Sequence, residues 1–311
     1  CKPTNPSVRS LGGCRLEGFA IDGYDTPSFA NTSGIYWQVF RGTIENVGIS
    51  RLQDDGLVVD GNDATITYPL GAWDNRIHDL TVVGVSRDCV QFVNGASDCI
   101  LEAGKFIHET TGVSGRYGVY SDTSPGLQIV GCHFYYTKDY AVYSNARQLQ
   151  IGATRFSDCH GGAIYINGTS AQGGGFNLSG VMMRNINRSG GATVDAIHIE
   201  PTGALRGGVV KAVSLLTTDN SYRPRYVISA TSATMIGAVV DAPSAEFLSP
   251  ATSAFTTAAV NGIRYDASGT GSPEAALAAP VGSTFTRTDG GAATSFYVKE
   301  SGAGNTGWVA K

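Results

Sequence analysis

The chain is poor in charge. Asp, Glu, Lys and Arg make up 15% of its 311 residues, against roughly 25% in an ordinary globular protein. It has three Met and three Trp, and no apolar run of the ~18 residues that a membrane-spanning helix needs. The 22 basic residues do not outnumber the 26 acidic ones, and the net charge is −4. That balance excludes the basic footprint of a nucleic-acid binder. The six cysteines, Cys1, Cys14, Cys89, Cys99, Cys132 and Cys159, show no CxxC spacing. A zinc site is therefore not expected, and buried thiols are favoured over a disulfide framework. Asp60-Gly-Asn-Asp63 lacks a full calcium-loop pattern, so neither a metal nor a cofactor is predicted. The chain opens Cys1-Lys2-Pro3 without a Met and is expected to be a piece of a longer or processed protein.

Glycine is abundant instead. Its 41 residues are about 13%, nearly twice the usual ~7%. Little charge and much glycine point to short strands with tight turns rather than to a helical bundle. An internal repeat then decides the fold. Leu127-Gln-Ile-Val-Gly-Cys-His-Phe134 aligns with Leu149-Gln-Ile-Gly-Ala-Thr-Arg-Phe156, 22 residues on. Ala141-Val-Tyr-Ser-Asn145 aligns with Ala163-Ile-Tyr-Ile-Asn167 at the same spacing. The first pattern recurs at Leu16, Ile44, Ile77, Leu101 and Leu178, and the second at Ile35, Leu57, Val90, Val119 and Ile197. Period-2 alternation within each segment marks strands with one buried face. A unit this small cannot bury that face alone, so successive units must stack. The prediction is an all-β chain: a right-handed parallel β-helix of about nine coils over residues 1–263, roughly 40 Å long at ~4.8 Å per coil. Loops are expected at 63–73, 171–175 and 188–193.

Residues 264–311 read differently. Positions 264–279, rich in Ala, Ser and Gly, suggest a linker. Ser283–Thr288, a turn at Asp289-Gly290, Ser295–Glu300 and Trp308–Lys311 suggest a three-stranded β meander. So small a meander needs a partner surface, and the open end of a solenoid needs covering. Association of three chains at this end would meet both needs.

The stretch Ala279-Pro-Val-Gly-Ser-Thr-Phe-Thr-Arg-Thr-Asp-Gly-Gly291, with Tyr297-Val-Lys-Glu-Ser-Gly302 and Thr306-Gly-Trp-Val-Ala-Lys311, resembles a module that ends many phage tail-fibre and tailspike-like proteins. The coils resemble the pectate-lyase-like β-helix superfamily. The resemblance implies a homotrimer on the phage virion that binds a bacterial capsule or O-antigen polysaccharide and depolymerises it, as a glycoside hydrolase ahead of a lyase. Two other functions stand beside this one: a receptor-binding or structural fibre that cleaves nothing, and a secreted bacterial pectin-type enzyme. Of the polygalacturonase-like motif set, only Asp54-Asp55 and His160-Gly161 are present. The Asn-Thr-Asp and Arg-Ile-Lys elements are missing, which puts that mechanism in doubt.

The repeat register also yields a surface map. One outward column reads Glu17, Glu45, His78, Glu102, Val130, Gly152, and its neighbour reads Ala20, Gly48, Thr81, Lys105, His133, Arg155. Glu45 and Glu102, two coils apart at ~9.6 Å, reach the upper limit for an inverting carboxylate pair, with His78 between them. Lys105, His133 and Arg155 are candidates to neutralise a uronate and abstract its proton. The alternative for both columns is a solvated charge ladder. The adjacent Asp54 and Asp55 could split their pKa values as a general acid requires, whereas Asp55, Asp88 and Asp195 could equally cap turns. A third column, Tyr120, Tyr143, Tyr165 and His198, offers a sugar-binding platform, a subunit interface or plain cross-strand stacking.

Overall fold

The computed structural model describes residues 11–311, apart from 24–32, 62–71, 109–114, 123, 146, 168–174, 191–193, 201–204, 219, 223, 226, 231–234, 242–243, 247–254, 258–262, 278, 280 and 303. The three expected loops lie wholly or partly outside the described residues. No described helix is long and apolar enough to cross a membrane.

The strands stack as a parallel β-helix with two walls, right-handed as parallel crossovers are. One wall is bent. It begins with Arg15–Asp22, Thr43–Ser50 and Arg76–Val83, and later coils split it into pairs such as Gln128–Val130 with His133–Tyr135. The other wall is a sheet of nine short strands from Ile35–Trp37 to Phe255–Thr257, matching the predicted coil number. Ile129 pairs with Ile151, Phe134 with Phe156 and Tyr143 with Tyr165, so the 22-residue repeat sets the stacking register.

Among the described residues, eight successive coils turn the bent wall at one residue with positive φ: Gly18, Asn46, Asp79, Ala103, Gly131, Ala153, Gly180 and Ala212, between 47° and 70°. That left-handed conformation disfavours residues with a Cβ, yet three Ala, an Asn and an Asp adopt it. The bend separates the two outward columns of this wall.

The interior is a set of ladders. Phe106, Phe134 and Phe156 are fully buried and stack at 5.0 and 5.1 Å between ring centroids. Cys89, Cys99, Cys132 and Cys159 are buried free thiols. Burial pushes the Cys99 thiol up to about 11 and those of Cys132 and Cys159 up to about 12, far from reactive thiolate.

The first part of the linker expected at 264–279 is a strand. Ile263–Gly269 is a strand of the bent wall, paired in parallel with Met235–Asp241. Its small residues Ala267, Ser268 and Gly269 do not prevent backbone pairing, and at Gly269 a Cβ would come within 3.3 Å of the Phe285 ring. The meander then follows as Thr284–Arg287, Phe296–Lys299 and Trp308–Ala310, its first strand paired in parallel to Ile263–Gly269 and the others antiparallel. It thus extends the wall. Lys299 is fully buried there, donating from Nζ to the carbonyls of Gly304 and Thr306 and lying 5.8 Å from the Trp308 ring centroid.

Candidate functional site

Three surface regions carry the predicted residues. On the N-terminal coils of the bent wall, Glu17, Glu45, His78 and Glu102 occupy successive rungs. Arg15 bonds Glu45 at 2.7 Å and Glu17 at 2.9 Å, and Arg76 bonds Glu102. Each carboxylate of the proposed pair is thus already occupied by a guanidinium. Glu45 and His78 line a 260 Å³ hollow with Arg15, Thr43 and Arg76. His78 Nδ1 is buried there, with no hydrogen-bond partner.

Across the bend, Lys105, His133 and Arg155 are consecutive rungs. His133 Nε2 and Arg155 Nε both lie 3.2 Å from Ser157 Oγ, and the imidazole packs at 3.8 Å between centroids against Tyr135. Burial first, then the charges of Arg155 and Lys105, hold His133 down at about 4. At neutral pH it is an uncharged imidazole and a weak base, which suits ligand contact better than proton abstraction.

The aspartates behave as turn caps. Asp55 is 2% exposed; its Oδ1 accepts from the Asp88 backbone N–H and from Gln91 Nε2, both at 3.0 Å. Asp88 repeats the motif on the next coil, accepting from the Tyr117 N–H at 3.1 Å and from Arg116. Burial, opposed by the Asp88 N–H bond, lifts Asp55 to about 6. The rise in Asp55 thus comes from burial rather than from its neighbour Asp54, and it falls on a carboxyl sealed from solvent that caps a turn. Asp54 is held by Arg87 at 2.8 Å. His160-Gly161 lies four rungs away, ~19 Å at strand spacing, so the two motif fragments do not form one site. No cluster of metal-ligating residues occurs among the described residues.

The tyrosine column forms a stack rather than a row of open faces. Tyr120, Tyr143, Tyr165 and His198 are in register, with centroids 5.6, 4.9 and 5.0 Å apart and near-parallel rings. Each ring covers its neighbour's face, so the stack offers edges and hydroxyls. Of the three readings of this column, cross-strand stacking describes how the rings contact one another. Arg116 closes one end over Tyr117 and Tyr120. At the other end, His198 lies 3.0 Å from Asp195 and 3.1 Å from Glu200. Tyr165 donates to Glu200 at 2.7 Å.

Beside the stack runs a 730 Å³ groove lined by Tyr117, Tyr140, Tyr143, Tyr165, His160, Lys138, Asp139 and Ser189, among others. Burial pushes the Tyr117 phenol up to about 12 and raises Tyr140 and Tyr165 further, so all three stay protonated donors. Burial and then Arg188 lower the pKa of His160, whose Nε2 is buried without a partner. Sequence reasoning missed Tyr117, Tyr140, Lys138 and Asp139. One signal was available: Tyr117-Gly118 and Tyr140-Ala141 both place a Tyr before the small residue that opens a strand of the second wall.

No family model matches the chain, and no curated protein does. Among solved structures, two of PfbA, a surface adhesin of Streptococcus pneumoniae, share 10% identity with it. One aligns over 74% of this chain and 65% of its own, with a TM-score of 0.38; the other over 88% and 68%, with 0.37. Tailspike protein 3 of bacteriophage CBA120 shares 12% identity over 88% of this chain and 54% of its own, with a TM-score of 0.29. The chain therefore spans under two thirds of the first of these adhesin structures.

Proposed function

We propose that this chain is a tailspike-like binder of a bacterial surface polysaccharide, which lies in the groove beside the tyrosine stack. The observation that carries the reading is the lining of that groove: phenol edges and hydroxyls, an uncharged imidazole, and one cation beside one anion at Lys138 and Asp139. Such a surface suits a polyol, through many hydrogen bonds and aromatic edges. On the same reading the protein belongs to a virion and three chains meet at the meander, where Val281, Phe296 and Val309 are exposed.

Cleavage is a second reading, and one observation favours it. Glu45 and His78 line one hollow, with Glu102 on the next rung. The arginines on both carboxylates make hydrolysis depend on the substrate displacing them.

The test is titration of candidate capsule and O-antigen polysaccharides into the chain, with reducing ends and unsaturated-uronate absorbance followed in parallel. Tyr143→Phe keeps the ring in the stack and removes a hydroxyl. Losing one neutral hydrogen bond of about 0.5–1.5 kcal/mol weakens binding by about 2- to 13-fold. Unchanged affinity in that variant, with folding intact, refutes the groove as the binding site. Reducing ends that persist in Glu102→Gln refute the carboxylate pair.

A further inference from the structure

The described cationic residues of the bent wall fall into two groups. On the N-terminal coils each described one is matched: Arg15 with Glu17 and Glu45, Arg51 with Asp22, and Arg76 with Glu102. Further along the same wall the pattern stops. Lys105, Arg155, Arg184 and Lys211 are exposed, and no ion pair joins any of them to a carboxylate among the described residues. Lys105 and Arg155 flank His133 on successive rungs, Arg184 pairs with Ser157 of the preceding coil, and Lys211 pairs with Ser179.

The floor between these cations is apolar. Met182, 50% exposed, stands on the rung after Arg155, and Leu216, 44% exposed, on the rung after Arg184. Together with Arg155 and Arg184 they line a hollow of 300 Å³. Exposed Met and Leu offer a surface for the C–H face of a sugar ring, and planar guanidiniums at its rim fit carboxylates bidentately.

We infer that this strip, Lys105–Arg155–Arg184 over Met182 and Leu216, is a second saccharide site that binds the carboxylated sugars of an acidic polysaccharide. The inference rests on the polysaccharide-binding reading and adds to it the charge of the sugar and a second wall of contact. Duplex nucleic acid is the less suited polyanion. The strip spans only ~14 Å from Lys105 to the Met182 rung, and past Lys105 the same column continues as Thr81, Gly48 and Ala20, which offer a rod no further cation.

The experiment is calorimetric titration of the full chain with polygalacturonate, alginate and hyaluronate oligomers, and with methyl-esterified polygalacturonate as a neutral match. At least one acidic polymer is expected to bind, more weakly at higher salt, and esterification to weaken polygalacturonate binding about tenfold or more. Arg155→Ala and Arg184→Ala should each cost about tenfold, as charged hydrogen bonds do, and Arg184→Lys should recover part of it. Arg41→Ala removes an equal charge from a surface ion pair with Asp74 and should leave affinity unchanged. The His133 imidazole, followed by NMR, should titrate higher in the complex, because a bound carboxylate offsets Arg155 and Lys105. Four results overturn the inference: equal affinity for acid and ester, full affinity in a folded Arg184→Ala, duplex DNA bound more tightly than every glycan, or no acidic polymer bound at millimolar saccharide. A Tyr143→Phe defect on a neutral glycan, with no Arg184→Ala defect on an acidic one, sinks this site and leaves the groove standing.

Discussion

Replacing Phe134 with Ala tests the stacking of the interior most sharply. Phe134 is the middle ring of three, fully buried, with Phe106 and Phe156 at 5.0 and 5.1 Å. Phe→Ala in a core costs about 3–5 kcal/mol, rising with the cavity that remains. Here the hole resists collapse. The flanking rings are pinned in their own rungs, and the backbone at Gly118 already sits so close that a Cβ there would lie 2.4 Å from the Phe134 ring. Two aromatic contacts, each worth about 0.5–1.5 kcal/mol, disappear with the ring. The expected loss is therefore at the top of the range, about 4–5 kcal/mol. Urea unfolding followed by tryptophan emission measures it. Buried Trp37 and Trp308 lie on opposite sides of the lesion in the sequence, so separate transitions would show whether the weakened coil uncouples the two halves, as a nearest-neighbour solenoid predicts. Amide exchange should quicken first in the coils of Phe106 and Phe156. A loss below about 1.5 kcal/mol, outside the range for a buried ring, would refute continuous stacking through this region.

Other outcomes follow from the same geometry. His198 sits between Asp195 and Glu200; burial disfavours its charged form, but the bonds to those two carboxylates outweigh it and raise its pKa. A raised histidine contributes stability that is fully present below its unfolded pKa of about 6.5 and is lost as pH rises through the folded value. The melting temperature should fall across that interval in the native chain and be flatter in His198→Gln; identical pH profiles would remove the effect. Ala153→Gly relieves a left-handed Ala at φ 47°. Relief of about 1–2 kcal/mol against an entropic cost of about 0.5–1 kcal/mol predicts a small rise in melting temperature, and a fall would show that the bend is unstrained. Tyr143→Phe and Arg184→Ala test the groove and the cation strip separately.

The register was legible in the sequence because every rung needs a bulky inward residue, and Ile129, Ile151, Phe134 and Phe156 repeat at a fixed interval. The outward columns followed from it. Three features did not. The strand Ile263–Gly269 ends on Ala267, Ser268 and Gly269, too small to give an inward pattern. The ion pairs of Glu45 and Glu102 depend on Arg15 and Arg76, which share a register column where Thr43 and Ile100 show no recurring charge. The tyrosines were placed correctly, but alternation says which way a side chain points and nothing about how its ring is turned. The groove needs residues from the turns, where repeat length varies and alignment fails.

The ladder of left-handed bends, from Gly18 to Ala212, fixes where each coil turns by main-chain conformation alone. The exposed side chains of the outward columns beside it, such as Val130, Arg155 and Met182, take no part in closing the coil. Size, polarity and sign of charge can therefore be exchanged there one position at a time, each step close to neutral for folding. A lineage carrying this scaffold changes what its surface touches without altering the path of its chain.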